Sequence, residues 1–381
     1  MYSLILYDTS DFETFPIGGQ LTSIKSFLKY LSQSHPQYCA QILLVGVTTN
    51  QQEVGCIQHV TIGKVRFDFL PVAYRSRDLS NVKTSMRLEY VKALIKYSKK
   101  ITSTQKTIHY VHTPEAFLAI KFKNLFAKTV VFSHGSFFDM VDGFRFFSGN
   151  PVIKYGFPIF LHILLSTANL IFTLDKKTAD RYRRYNRHVV QVKNSVVLPE
   201  EVCVKKETHK RVRLLFTGRL STVKRVDEII RAAREMQNCS LTIVGDGEEH
   251  EKLLKLIAEL KLNETVEVVG AVAPEEVMKY LSTHDILVMN SRFEGMPMTI
   301  IEALSYGLPI VTTPVGGIEE MLFGYKCAEF TDGTVKSIIT AVGKILDGYQ
   351  NYSEAALKCA KNYDYIQVNE AVFKSIVQRF K

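Results

Sequence analysis

Short runs of β-branched and other apolar residues alternate, along the first half of the chain, with stretches whose apolar residues recur at helical spacing. The runs cover Tyr2–Tyr7, Gln41–Val47, Val65–Leu70, Thr107–His112, Thr129–Ser133 and Leu170–Leu174. Strands that alternate with helices are typical of a parallel sheet covered by helices on both faces. The pattern therefore predicts an α/β domain in the first half.

Charged and polar residues without periodicity fill the stretch from Asn194 to Arg211, and they predict a domain boundary. The alternation then restarts, with predicted strands at Val212–Thr217, Ser240–Val244, Thr265–Val269, Asp285–Met289 and Pro309–Thr312. After about Glu354 the pattern is helical to the end of the chain. We predict an N-terminal domain over residues 1–195, a second α/β domain over residues 196–353 and terminal helices over residues 354–381.

The 381 residues suffice for two α/β cores, and a content of 46% hydrophobic and 23% charged residues is typical of a globular protein. The net charge of +10 is distributed unevenly. Residues 1–195 contain 25 Lys and Arg against 12 Asp and Glu, a net charge of +13, whereas the remaining residues contain 23 against 26. A basic excess confined to the first domain predicts an anionic partner, which is a nucleic acid, an acidic lipid or an acidic substrate.

Six cysteines are scattered through the chain without a CxxC pair or a metal-like spacing with histidine. The first residues, MYSLILYD, resemble a strand more than a signal peptide. The apolar run Phe157–Phe172 is short for a bilayer span and contains Pro158, His162 and Asn169, so we predict a buried helix that leads into a strand. We expect a reduced, cytoplasmic protein.

The segment SRFEGMPMTIIEALSYGLPIVTTPVGG, residues 291–317, leads from a predicted strand through a glycine-containing turn into a predicted helix. The turn contains Glu294, Pro297 suits the first helical position, and the helix contains Glu302. The amino end of a helix binds anions, because its first amide protons have no partner within the helix. By their spacing alone, the two glutamates also fit a solvated helix surface.

Another predicted strand, in LLFTGRL, leads through Gly218 to Arg219, and Lys224 follows near the start of the next helix. A guanidinium that grips with two donors and an ammonium that acts as a point charge together suit a diphosphate. The next strand and glycine turn, LTIVGDGE, is a weak candidate for a dinucleotide site, because His250 stands where GxGxxG requires its third glycine. We predict a structural role for that turn.

Both segments closely resemble the signature of glycosyltransferase family 4. The matching residues are Leu214–Leu220 and Lys224 in the earlier segment, and Phe293–Pro297, Glu302, Ala303, Gly307, Pro309, Gly316 and Gly317 in the later one. The resemblance is strong over residues 212–317 and looser before them. It implies the GT-B fold, an α/β architecture of two Rossmann-like domains that face each other across a cleft, with a C-terminal helix that crosses back to the first domain.

The same resemblance implies roles for residues of the second domain. Glu294 meets hydroxyls of the donor sugar, and Glu302 binds the ribose of the nucleotide. Arg219 and Lys224 neutralise the pyrophosphate and the charge that develops on the departing nucleotide. The backbone that approaches the donor belongs to Gly218, Gly295, Met296, Pro297 and Met298.

In the first domain, Gly18 and Gly19 resemble the family's glycine loop after the first strand, whose amides approach the donor phosphates or the acceptor. Taken alone, the pair also fits an ordinary turn. His134, in VFSHGSFF, matches a family histidine close to the transferred sugar, and His112, in HYVHTPEA, matches a second one. We favour His134 for catalysis and expect the other histidine to be structural. The stretch Asn194–Val197 departs from the family's Asn-Gly-Val-Asp at two of four positions, so no binding role is assigned to it.

The reaction implied is transfer of a hexosyl or N-acetylhexosaminyl unit from a nucleotide sugar to a glycan or lipid-linked acceptor, with retention of anomeric configuration. UDP- and GDP-sugars are the favoured donors, and surface polysaccharide or glycoconjugate synthesis is the favoured setting. No DxD occurs in the sequence, so we expect basic residues and helix amides to replace a metal, and no cofactor beyond the donor itself. Nucleic acid is not an expected partner, because no recognised nucleic-acid module is present.

Seven basic residues against Glu89 alone lie between Lys83 and Lys106. Three lysines there recur at helical spacing, and we place them opposite three apolar residues: Lys92, Lys96 and Lys99 against Leu88, Val91 and Ile95. The stretch fits a solvated helix face. It fits equally well a cytoplasmic protein that docks peripherally on the anionic inner face of the plasma membrane.

Two other functions fit a GT-B fold. A nucleotide-sugar epimerase has a similar diphosphate site but uses no acceptor. A noncatalytic partner subunit keeps the fold without the chemistry, although the full set of Arg219, Lys224, Glu294 and Glu302 argues against it.

Overall fold

The computed structural model of the protein describes residues 2–13, 15, 18–76, 86–101, 106–135, 159–162 and 164–381. The chain forms two compact units. The first contains residues up to Lys193 together with Val368–Lys381, and the second contains Asn194–Gln367. Phe157, Pro158 and Lys83, which the sequence analysis used, lie outside the described residues.

The first unit is built on an eight-stranded sheet. Its strands are β1 (Ser3–Tyr7), β2 (Ile42–Thr48), β3 (Gln58–Ile62), β4 (Val65–Tyr74), β5 (Thr107–Val111), β6 (Lys128–Ser133), β7 (Leu170–Thr173) and β8 (Val189–Gln191). Their order across the sheet is β3-β4-β2-β1-β5-β6-β7-β8, and all neighbours are parallel except the β3–β4 hairpin. The predicted strands are all present. The two edge strands, β3 and β8, were not predicted because they lack a long apolar run.

Helices cover this sheet. They are α1 (Gly19–Ser34), α2 (Pro36–Cys39), α3 (Met86–Lys96), α4 (Pro114–Lys123) and α5 (Lys176–Arg183). Residues 159–162 and 164–166 are also helical and lead into β7, as predicted for the apolar run. The core lies between the central strands and these helices, with fully buried side chains such as Val45, Val111 and Phe117.

The second unit is built on a six-stranded parallel sheet. Its strands are β9 (Val212–Thr217), β10 (Cys239–Val244), β11 (Val266–Gly270), β12 (Ile286–Met289), β13 (Ile310–Thr312) and β14 (Ala328–Phe330). The helices are α6 (Val226–Glu235), α7 (His250–Glu259), α8 (Pro274–Thr283), α9 (Met298–Ser305), α10 (Ile318–Leu322), α11 (Val335–Asp347) and α12 (Tyr349–Ala360), followed by α13 (Tyr365–Phe380). The strand order is β11-β10-β9-β12-β13-β14. The order therefore reverses between β9 and β12, which is the position where doubly wound folds bind ligands.

Polar side chains mark where three of the helices begin. Thr113, Asp175 and Thr334 precede α4, α5 and α11, and each accepts a hydrogen bond from the amide three residues ahead. Such caps satisfy one of the amides that has no partner within the helix. Pro114, at the first position of α4, has no amide proton to satisfy.

The terminal helices are divided between the units, unlike the single segment 354–381 that we predicted to pack on the first domain. Helix α12 stays with the second unit because it packs on α9, and Ser353 Oγ accepts a hydrogen bond from Lys205 N at 3.0 Å. From Val368 onward, α13 belongs to the first unit. There Asn369 Nδ2 donates to Ser26 Oγ at 2.9 Å, and Arg379 Nε donates to Asn169 O at 2.6 Å. The C-terminal helix thus crosses back to the first unit, as the fold class predicted.

The two faces of helix α3 differ from the predicted arrangement. Its buried residues are Tyr90 and Leu94, whereas Leu88 and Ile95 expose 54% and 50% of their surface. Positions 88, 92 and 95 lie close together on a helix of 3.6 residues per turn. Leu88 and Ile95 therefore share a face with Lys92 rather than lying opposite it, and Lys99 lies in the turn that follows the helix.

Candidate functional site

Three loops meet at the carboxyl edge of the second sheet, because β9, β12 and β13 are neighbours and run parallel. The first loop leads from Thr217 to a 3₁₀ turn, Thr222–Lys224, and then to α6. The second leads from β12 through Glu294 to α9. The two loops are joined directly, since Arg292 N donates a hydrogen bond to Val223 O at 2.8 Å. The strand reversal thus brings the two segments with the strongest sequence signals together.

Lys224 and Glu294 form an ion pair between these loops, with 2.5 Å between Nζ and Oε1. The same carboxylate oxygen accepts a hydrogen bond from Ser291 Oγ at 2.6 Å. The side chains are 21% and 10% exposed, so both charges are largely removed from water. Within the described part of the chain, Glu294 Oε2 receives no hydrogen bond. One carboxylate oxygen and two of the three ammonium protons therefore remain available to a ligand.

The third loop follows β13 and leads to α10, and it holds the Glu294 turn in position. Gly317 N donates to Gly295 O at 2.9 Å, and Thr313 Oγ1 donates to Ser291 O at 2.6 Å. Gly316 has φ +59, and a Cβ built there lies 1.7 Å from Glu294 O. Glycine is required at 316 because the backbone is left-handed and the neighbouring carbonyl occupies the space of a side chain.

Helix α9 begins directly after this turn. It starts at Met298 with Pro297 as its N-cap, so Pro297 lies one residue earlier than the predicted first helical position. No side chain in the described part of the chain caps the helix, and its first amides have no acceptor within the helix. Asn194 supports the turn, since its Nδ2 donates to Met296 O at 2.8 Å. Asn194 Oδ1 is buried and has no hydrogen-bond partner in the part of the chain that the structure describes.

Glu302 lies in the second turn of α9, and burial raises its pKa to about 7. Among the described residues, none donates a hydrogen bond to its carboxylate or pairs with it. With this pKa, the carboxyl group is only partly ionised at physiological pH. In either protonation state, its oxygens can accept hydrogen bonds from hydroxyl groups of a ligand. The predicted ribose contact fits this environment and remains a prediction.

The raised pKa of Glu302 makes the stability of the ligand-free protein dependent on pH. Below about pH 4.5 the carboxyl is protonated in both the folded and the unfolded state, so it does not change the free energy of unfolding. Between about pH 4.5 and 7 the unfolded state loses its proton first, so stability falls as pH rises and the penalty is complete above about pH 7. We expect Glu302→Gln to raise the free energy of unfolding at pH 8 by on the order of 2 kcal/mol.

Urea denaturation at several pH values between 5 and 8 measures this difference. The gain of Glu302→Gln over wild type is expected to shrink toward pH 5. Glu264→Gln, which changes an exposed glutamate of the same unit, is the control and is expected to show no pH-dependent gain. A gain of equal size at every pH contradicts the assigned effect of burial.

Arg219 does not join the ion pair of Lys224 and Glu294. Its side chain is 72% exposed and contacts Glu248, with 3.1 Å between Nη2 and Oε2. Exposed ion pairs of this kind contribute little stability, so the guanidinium can exchange its partner for a phosphate at small cost. The segment is braced by the following glycine turn, because a Cβ at Gly245 lies 1.9 Å from Gly218 O. The GDG turn therefore packs against the Arg219 loop, in agreement with its predicted structural role.

The first unit brings His112 and His134 together at the ends of β5 and β6. His112 Nδ1 and His134 Nε2 are hydrogen-bonded at 2.9 Å. Burial lowers the pKa of His134 to about 3, and burial together with the neighbouring histidine lowers the pKa of His112 well below its usual range. Both rings are therefore neutral at physiological pH. His112 is 4% exposed and stacks on Phe132, whereas His134 is only partly buried.

The glycine loop of the first unit is tied to the same place. Gly18 is the N-cap of α1, Gly19 begins the helix, and Gln20 Nε2 donates to Asp8 Oδ1 and, at 3.4 Å, to His112 O. Asp8 is buried at the end of β1, and burial raises its pKa. The start of α1, which contains Gly18 and Gly19, is thus joined through Gln20 to Asp8 and to His112, and His112 is bonded to His134.

Several residues of these two clusters were given no role by the sequence analysis. They are Ser291, Thr313, Asn194 and Arg225 in the second unit, and Asp8 and Gln20 in the first. Arg225 has φ +46 and binds Asn290 O through Nε at 2.9 Å. Side chains that support a loop do not belong to a short sequence motif. Only their position after a predicted strand could have indicated their role. Among the described residues, no group of three or more His, Cys, Asp or Glu is arranged to hold a metal ion.

Residues 200–363 match the model of a protein family described as glycosyl transferases group 1. WbnH of Escherichia coli, an O-antigen biosynthesis glycosyltransferase, is 30% identical over 206 residues, which are 53% of this chain and 56% of that protein. The lipopolysaccharide 1,6-galactosyltransferase of Salmonella typhimurium is 28% identical over 199 residues, 49% of this chain and 54% of that protein. The chain thus spans about half the length of the curated relatives it matches.

Solved structures are similar over the whole length. The sucrose-phosphate synthase of Thermosynechococcus elongatus has a TM-score of 0.79 at 13% identity, covering 100% of this chain and 99% of that one. HepE of Anabaena, in complex with UDP and glucose, has a TM-score of 0.71 at 14% identity, covering 99% and 100%. At these identities the similarity shows the fold. Together with the two sheets described above, it confirms the two Rossmann-like units of the GT-B fold.

Proposed function

We propose that this protein, whose residues 200–363 match the family model of group 1 glycosyl transferases, is a retaining glycosyltransferase of surface polysaccharide synthesis. It transfers a hexosyl or N-acetylhexosaminyl unit from a UDP- or GDP-sugar to a glycan or lipid-linked acceptor. The names of the O-antigen and lipopolysaccharide relatives support this setting. The UDP bound to Anabaena HepE supports the donor class.

The observation that carries the proposal is the ion pair of Lys224 and Glu294 beside the uncapped start of α9. A nucleotide sugar presents two phosphates next to a ring of hydroxyl groups. The ammonium and the first amides of α9 suit the phosphates. Neither Glu294 Oε2 nor the Glu302 carboxyl accepts a hydrogen bond from the residues that the structure describes. The former suits sugar hydroxyls, and the latter suits the ribose.

The proposed catalytic contribution of these residues is electrostatic. When the bond between sugar and diphosphate breaks, negative charge develops on the leaving phosphate and positive charge on the sugar ring. Lys224, Arg219 and the helix amides stabilise the leaving diphosphate, while Glu294 lies beside the sugar. Retention follows a front-face path in this proposal, in which the acceptor hydroxyl attacks from the side of the leaving group. His134, neutral at physiological pH, is proposed to contact the sugar.

We further propose that transfer requires no metal ion, because the cationic groups and amides named above can neutralise the phosphates. The basic charge of the first unit supports an anionic partner, and a peripheral position on the cytoplasmic face of a membrane brings the enzyme to a lipid-linked acceptor. No described helix is both long enough and apolar enough to span a bilayer.

A thermal-shift panel of UDP-glucose, UDP-galactose, UDP-N-acetylglucosamine and GDP-mannose, each measured with Mg²⁺ and again with EDTA in its place, tests the donor class. One nucleotide sugar is expected to raise the melting temperature, since a ligand at about a hundred times its Kd stabilises the folded state by about 2.7 kcal/mol. UDP and UMP are the matched control pair for a UDP-sugar, and GDP and GMP are the pair for GDP-mannose. The monophosphate is expected to give a smaller shift than the diphosphate because it lacks the second phosphate.

Product analysis with the donor so identified separates the alternatives. Proton NMR of the anomeric signal is expected to show the configuration of the donor in a product that contains the acceptor. Release of free UDP and an altered sugar without any acceptor identifies an epimerase instead. Absence of a thermal shift with every donor contradicts the proposed site, and a shift that EDTA abolishes contradicts metal independence.

A further inference from the structure

Two phenylalanines at the end of α4 are almost fully exposed. Phe122 and Phe126 expose 87% and 91% of their surface, and Leu125 exposes 49%. Single exposed apolar residues are common, but large aromatic side chains are usually buried to a considerable extent. Three apolar side chains on one turn form a patch, and such patches mark sites of contact with a protein or a membrane.

The turn that carries these side chains is held firmly. The ammonium of Lys121 is buried and donates hydrogen bonds to Leu125 O, Ala127 O and Thr167 O at 3.1, 2.8 and 2.9 Å. Asn124 Oδ1 accepts a further hydrogen bond from the amide of Phe126 at 3.0 Å. The outward position of the phenylalanines is therefore built into the backbone of the turn and is not the result of a frayed helix end.

The exposed face of α3 continues this patch. Lys123 Nζ donates to Ser98 O at 3.3 Å, which joins the end of α4 to the turn that follows α3. On that side α3 exposes Ile95 together with lysines. We define the α3–α4 surface by six residues: Ile95, Lys96, Lys99, Phe122, Lys123 and Phe126. It combines protruding apolar side chains with cations.

We propose that the α3–α4 surface docks on a bilayer that contains anionic lipids, with Phe122 and Phe126 inserted among the acyl chains. The lysines then contact the headgroups, and each contributes to attraction by an anionic surface. Charge favours this partner over a second copy of the chain, because a symmetric contact would bring the lysines of one copy against those of the other. The proposal deepens the membrane partner of the proposed function and rests on that function for its purpose.

Co-sedimentation of the full chain with vesicles tests the proposal. Wild type is expected to sediment with vesicles of phosphatidylcholine that contain phosphatidylglycerol, and much less with phosphatidylcholine alone. The double variant Phe122→Ser, Phe126→Ser is expected to lose about tenfold or more in vesicle binding, because two large apolar side chains no longer leave water. Phe323→Ser is the matched control, since Phe323 is 83% exposed but lies in the second unit, and its vesicle binding is expected to equal that of wild type.

Two further measurements keep the outcomes distinct. Thermal unfolding and the donor-induced thermal shift are expected to be unchanged in the double variant, so a loss of vesicle binding with intact donor binding concerns the surface alone. Equal binding by wild type and the double variant overturns the proposal, as does equal binding to neutral and anionic vesicles. Light scattering that shows a dimer in wild type and a monomer in the double variant also overturns it, because the surface is then a contact between copies.

Discussion

Replacing Lys224 by methionine is expected to lower kcat about 10²- to 10³-fold, while the Kd of the nucleotide sugar rises much less. The ammonium lies at the strand reversal, 2.5 Å from Glu294 Oε1, and its other protons can donate hydrogen bonds to a phosphate. Charge on that phosphate is greatest when the bond to the sugar is breaking, so the loss falls mainly on the transition state. Steady-state kinetics with a direct measurement of donor binding check this expectation.

Lys252→Met is the matched control, because Lys252 also forms an ion pair in the second unit but is 68% exposed and pairs with Glu249 on the surface. Its kcat is expected to equal that of wild type. The single variant Glu294→Gln and the double variant with Lys224→Met show whether Lys224 acts only through its partner. Two results together would falsify a role of Lys224 at the leaving phosphate. The double variant loses no more activity than Glu294→Gln, and Lys224→Met changes kcat and donor affinity equally.

Gly316→Ala is expected to destabilise the second unit by about 3 kcal/mol and to reduce transfer strongly. The methyl group meets Glu294 O at 1.7 Å, and neither backbone can move without disturbing the hydrogen bond between Gly317 N and Gly295 O. The turn that presents Glu294 must then shift. Urea denaturation and the transfer assay measure the two effects.

Gly324→Ala controls for backbone conformation alone. Gly324 also has a positive φ, +81, but in the described structure an added Cβ there meets nothing within 4 Å. Alanine at 324 is expected to cost about 1 kcal/mol and to leave activity unchanged. If both variants lose the same stability and both stay active, the close approach of Gly316 to the Glu294 carbonyl has no functional consequence.

The sequence analysis was most successful where local periodicity and glycine turns coincide. Central strands such as β9 and β12 are continuous apolar runs, and a buried parallel strand requires that pattern. The prediction was wrong for the faces of α3, since Leu88 and Ile95 lie on the lysine side. Helical spacing shows which residues share a face, but neighbouring elements decide which face is covered. The segment 354–381 was likewise assigned whole, although α12 and α13 pack on different units.

By itself, the chain's sequence determined the alternation of strands and helices, the glycine turns and the types of charged residue that follow β9 and β12. These features depend on near neighbours, whose backbone preferences and apolar spacing act locally. Only the tertiary structure decided that Lys224 meets Glu294 while Arg219 meets Glu248, and that Asn194 and Gly316 support the turn between them. Such contacts join residues far apart in the chain, and their partners depend on strand order and close packing, which no local pattern specifies.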